Sequence, residues 1–90
     1  MIVQNNITKN LLKHLAGEML SDDYKASLPV KSMAGSALKC FGHKGFPSEY
    51  IRDTAQQVYA SYNNAPNYQY NKNEAILAQG ILEFERYVNQ

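Results

Sequence analysis

Towards the end of the chain, Leu77, Ile81, Phe84 and Val88 recur three and four residues apart, the spacing that lines one face of a helix with large apolar side chains. Ile76, Ala78, Leu82 and Tyr87 widen that face. Asn71 followed three residues later by Glu74 has the form of an N-terminal capping box, a cap oxygen reaching forward to an orphan N–H and a carboxylate reaching back. The pattern predicts a helix from Asn71 to Tyr87. A stripe this wide must be covered by other helices.

Three further segments supply them. Ile7, Leu11, Leu12, Leu15 and Met19 keep helical spacing, with Lys9, Lys13 and Glu18 facing outward and Asn6 or Thr8 as the cap. Gly17 weakens that helix only locally, by about 1 kcal/mol against Ala. Ser21-Asp22-Asp23 reads as a turn, or as the cap of a short helical stretch through Tyr24 to Ser27. Pro29 suits the first turn of a second helix, where its missing N–H is not needed. Val30, Met33, Ala34, Ala37, Leu38 and Phe41 give its buried face, and the small residues Ala34, Gly35, Ser36 and Ala37 suggest a close helix approach there. Gly42-His43-Lys44-Gly45 stops it: glycine adopts the left-handed conformation cheaply, and His43 or Lys44 suits the negative end of the dipole.

Phe46-Pro47-Ser48-Glu49 then starts a third helix with Tyr50, Ile51, Ala55, Val58, Tyr59 and Tyr62 inward and Arg52, Asp53, Gln56 and Gln57 outward. Pro66 ends it, because proline disfavours helical geometry in the residue before it. Tyr68-Gln69-Tyr70 reads as an extended lead-in that lays Tyr68 or Tyr70 on the helices before Asn71. Four amphipathic segments with short connections, and no competing strand pattern, predict an all-α, antiparallel four-helix bundle. Ninety residues make it one domain over 1–90, with one modest core.

Charge narrows the partners. Nine basic against eight acidic residues leave a net charge of +1, so no whole-protein field draws in nucleic acid or an anionic membrane. The single cysteine, Cys40, excludes an internal disulfide and a zinc site built on cysteine pairs. The sequence has no apolar run of membrane-spanning length and no signal-peptide pattern at its N-terminus, which favours a reducing, cytoplasmic setting.

Catalytic chemistry has little to build on. His14 reads as a surface residue beside Lys13, His43 as a helix C-terminal cap, and Cys40 as a small buried hydrophobe rather than a nucleophile paired with His43. Asp22-Asp23 and Glu83-x-Glu85 lack the ligand spacing of a calcium loop, and Gly42-x-x-Gly45 lacks the lysine and hydroxyl of a phosphate loop. No catalytic residue, metal ligand or cofactor is expected. Tyr50, Tyr59, Tyr62 and Tyr87 fall on or beside buried faces, whereas Tyr68 and Tyr70 in an amide-rich loop offer the rigid aromatic area enriched at interfaces.

The stretch from Tyr24 to Tyr87 resembles the immunity proteins of pediocin-like (class IIa) bacteriocins. The resemblance is carried by Ala37-Leu38-Lys39-Cys40-Phe41, a polar break before Pro47, Val58-Tyr59-Ala60-Ser61-Tyr62, the lead-in Tyr68-Gln69-Tyr70-Asn71-Lys72-Asn73-Glu74, and the runs Ala75-Ile76-Leu77-Ala78 and Ile81-Leu82-Glu83-Phe84. It implies a small cytoplasmic bundle, a monomer, that protects a producer cell from inside. Its partner would be a sugar-phosphotransferase membrane receptor that has engaged the bacteriocin, with contact at the membrane only peripheral. Recognition would lie on the hairpin between the third and fourth helices and at the C-terminus, which places Tyr62, Asn64, Tyr68, Tyr70, Lys72, Arg86 and Tyr87 in the candidate partner-binding set. Two other readings remain: a small inhibitor or adaptor, for instance phage-encoded, and a helix-turn-helix nucleic-acid binder on the second and third helices. The second is poorly served, because Arg52 is the third helix's single cation and sits among Glu49 and Asp53.

Overall fold

A computed structural model describes residues 6–42 and 45–90. His43 and Lys44, read above as helix-capping residues, lie outside the described residues. The described chain is all-helical: α1 (Lys9–Met19), α2 (Leu28–Gly42), α3 (Glu49–Asn64), α4 (Lys72–Leu82) and a short α5 (Phe84–Tyr87).

The starts of the helices follow local chemistry. Thr8 caps α1 by accepting from the Leu11 N–H at 3.0 Å, and Ser48 caps α3 by accepting from the Ile51 N–H at 3.2 Å. Asn71 and Glu74 form both halves of the capping box of α4, at 2.9 and 3.0 Å. Pro29 lies in the first turn of α2, whose opening bond runs from Lys31 N–H to the Ser27 carbonyl. Tyr24 to Ser27 is not helical; the chain turns at Ser21, with Tyr24 N–H donating to the Ser21 carbonyl, and then runs irregularly into α2.

Packing centres on α4. α1 packs against α2 and α4, α3 packs against α4 and α2, and α2 also meets α4. α4 is accordingly buried nearly all round, through Glu74, Ala75, Ile76, Leu77, Ala78, Gly80 and Ile81. Leu12, Met19, Val30, Met33, Val58, Leu77, Ile81 and Phe84 are the largest fully buried side chains. The Gln90 side chain accepts from the Lys9 N–H at 2.7 Å and so ties the last residue to the start of α1.

Four expectations need correction. The last helix is not continuous to Tyr87: Glu83 leaves helical geometry with ψ 35°, and the chain resumes as α5. No glycine or proline marks that break in the sequence; it accompanies the packing of Phe84 against Phe41 and Phe46, with ring centroids 5.1 and 5.6 Å apart. Tyr50 is 67% exposed rather than on the inner face of α3. Thr54 takes the inward position between Ile51 and Val58, its hydroxyl satisfied by donating to the Tyr50 carbonyl at 2.9 Å. On α2 the small residues divide, Ala34 and Ala37 being fully buried while Gly35 has open space beside it, and a further tight contact falls at Gly80 of α4, where a Cβ would collide with Leu12. Gly42 stays within α2, and the left-handed glycine of this connection is Gly45, with φ 142°.

Candidate functional site

The connection between α3 and α4 is built from chemistry visible in the chain. α3 ends where Ala65 N–H donates back to the Ser61 carbonyl at 3.0 Å, ahead of Pro66. Asn67 takes the left-handed conformation, φ 65°, which asparagine tolerates better than most residues. Tyr68 N–H then closes the turn on the Ala65 carbonyl at 3.2 Å. Ser61 Oγ donates to Gln69 Oε1 at 3.2 Å across the connection. The two tyrosines of the lead-in part company here. Tyr70 is buried, 8% exposed, and joins the core, while Tyr68 is 87% exposed.

The candidate residues fall into two groups. Asn64, Tyr68 and Lys72 are exposed at the α3–α4 end, and Tyr62 is half-buried two residues before Asn64. Arg86 and Tyr87 lie on α5, beyond the other end of the 11-residue α4, a helix about 16 Å long at the usual rise per residue. The seven therefore divide between the two ends of α4. At the second group, Arg86 reaches Glu83 at 3.7 Å, and buried Tyr87 donates to the same carboxylate at 3.2 Å. Tyr70 and Tyr87 thus serve packing and leave little area for a partner, whereas Tyr68 and Arg86 stand free of the core.

Behind the hairpin lies a polar ring that the sequence pattern does not announce. Tyr24, in the α1–α2 connection, donates its hydroxyl proton to Glu74 Oε2 at 2.7 Å and accepts from Asn71 Nδ2 at 2.8 Å. Glu74 is 7% exposed, and its other oxygen accepts from the Asn71 N–H. Burial first, and then the Glu74 and Glu18 carboxylates, push the Tyr24 phenol above its ordinary value of 10.0 against the opposing pull of Asn71. A concavity of about 290 Å³ lined by Glu18, Ser21, Asp23 and Tyr24 opens beside it.

A larger cleft, about 520 Å³, lies between α2 and the α2–α3 connection, lined by residues that include Ser36, Lys39, Cys40, Phe46 and Ser48. Its hydroxyls are already engaged: Ser36 Oγ is in hydrogen-bond contact with Cys40 Sγ at 3.8 Å, and Ser48 Oγ caps α3. Cys40 is buried, and His14 is exposed on α1 with Nε2 3.4 Å from Glu18. Among the described residues no group of three or more His, Cys, Asp or Glu side chains is placed to hold a metal ion. No described helix is long and apolar enough to cross a membrane. No protein-family model matches the chain, and neither a curated protein nor a solved structure matches it.

Proposed function

We propose that this chain is a binding protein of the bacteriocin-immunity kind, an antiparallel four-helix bundle that protects a producer cell by engaging the receptor–bacteriocin complex from the cytoplasmic side. The observation that supports it is the division of labour in the lead-in: Tyr70 anchors the α3–α4 connection in the core while Tyr68 stands 87% exposed beside Asn64 and Lys72. An aromatic ring held out on an ordered connection offers contact area with little conformational entropy to lose, which is what a protein interface rewards. The resemblance supplies the class of partner; the exposed tyrosine supplies the surface. Arg52, half-buried and flanked by exposed Glu49 and Asp53, makes α3 a poor match to nucleic-acid phosphates.

Expression in a sensitive lactic acid bacterium tests the reading. Raised resistance to one or a few pediocin-like bacteriocins is expected; unchanged killing across a broad panel would remove it. Affinity capture separates the immunity reading from a soluble inhibitor or adaptor using the same surface. Phosphotransferase membrane components agree with the first, and a soluble enzyme or effector complex with the second.

A further inference from the structure

We propose that Tyr24 is a latch that holds the α3–α4 connection in order from across the fold. Tyr24 and Glu74 are 50 positions apart in sequence, and the phenol closes a ring in which each polar group has one defined task. Asn71 uses Oδ1 to accept from the Glu74 N–H and Nδ2 to donate to the Tyr24 hydroxyl. Glu74 uses Oε1 for the Asn71 N–H and Oε2 for the Tyr24 hydroxyl. Serine or aspartate at position 71 caps a helix equally well, but each lacks the amide donor that reaches Tyr24.

The ring explains why a carboxylate is tolerated at a buried position with no cation among its hydrogen-bond partners. Both Glu74 oxygens are accepting, and a buried carboxylate left with an idle oxygen is strongly disfavoured. Removal of the Tyr24 hydroxyl idles Oε2. Oε2 must then take another donor, water or the freed Asn71 Nδ2, and the carboxylate shifts to meet it, which weakens the hold of Oε1 on the Asn71 N–H. The loss of one phenolic oxygen therefore propagates into the capping box and frees the C-terminal end of the connection that carries Tyr68. Ordering of the connection stands whatever partner it meets; its service to recognition rests on the function proposed above.

Amide hydrogen exchange on the wild type and Tyr24→Phe, with melting curves alongside, tests the latch. Phenylalanine keeps the ring and its packing. Exchange at Asn71 and Glu74 should accelerate about tenfold, the effect of losing one hydrogen bond to a charged acceptor, while the inner amides of α1 and α2 accelerate only as far as the melting curves show global stability to fall. Unchanged exchange at those two amides would overturn the latch. Killing assays on a sensitive strain expressing wild type, Tyr24→Phe or Tyr68→Ser address its use. Intermediate protection by Tyr24→Phe is expected. Full protection despite faster exchange overturns the role in recognition, and no protection by the wild type overturns the immunity reading while leaving the exchange result standing.

Discussion

Leu12 of α1 fills the space that a side chain at position 80 of α4 would need. A Cβ built on Gly80 lies 2.6 Å from Leu12 Cδ1, inside van der Waals contact, and Leu12 is fully buried, so its side chain can yield only by displacing core neighbours. Helix propensity favours alanine over glycine by about 1 kcal/mol, but overpacking a full core typically costs about 1–3 kcal/mol, so the steric effect should win. Gly80→Ala is expected to lower the melting temperature, at roughly 4–8 °C for each kcal/mol lost. Leu12→Ala should cost less in the Gly80→Ala background than in the wild type, a favourable coupling in the double-mutant cycle; strict additivity would mean that the two residues do not meet.

Phe84 is expected to be the most damaging aromatic truncation. It is 1% exposed and packs against both Phe41 and Phe46, and Phe→Ala in a core costs on the order of 3–5 kcal/mol. Phe46 touches the same ring yet is 73% exposed, so Phe46→Ala should cost far less. Equal losses in chemical denaturation would mean that Phe84 is not held as its burial indicates.

Those two contacts show where the sequence is readable and where it stops. Helix starts rest on side chains within three residues of the groups they cap, so the Asn71–Glu74 box is legible, as is the start of α3 within Phe46-Pro47-Ser48-Glu49, while the choice of Thr8 over Asn6 as the cap of α1 is settled by the structure. The apolar spacing of Leu77, Ile81 and Phe84 likewise marked residues that are fully buried. Gly80 was not legible as a contact, because what fixes it is a leucine on another helix. The break at Glu83 has no local signal and goes with the tertiary seat of Phe84. At the site, the lead-in offers Tyr68 and Tyr70 as alternatives, and only packing assigns Tyr70 to the core and Tyr68 to solvent. The Tyr24 ring joins residues too far apart in sequence for periodicity to connect.

Alkaline titration should find Tyr24. Its phenol ionises at a higher pH in the folded state than in the unfolded chain, chiefly through burial and then through Glu74 and Glu18. The folded state thus keeps a proton that the unfolded state gives up. This contribution to stability is complete below the unfolded value of 10.0 and is lost as pH rises through the folded value. Wild-type stability, measured by denaturant unfolding from neutral pH upwards, should fall more steeply above that value than the stability of Tyr24→Phe. Parallel curves would mean that the phenol ionises alike in both states.

The two ends of α4 make separate predictions about where recognition sits. Tyr68→Ser removes an exposed ring from the connection, and Arg86→Ala removes an exposed guanidinium whose contact with Glu83 is 3.7 Å. An exposed ion pair of this kind contributes at most about 1 kcal/mol, so both variants should melt close to the wild type. If the hairpin end is the contact surface, Tyr68→Ser loses protection or partner capture while Arg86→Ala keeps it, since about 16 Å of helix separates the two. Loss in both, with melting unchanged, would require a partner large enough to span α4. Retained function in both, with loss appearing instead at Lys9, Lys13 or Lys31, would move recognition to the lysines of α1 and α2 and away from the α3–α4 connection.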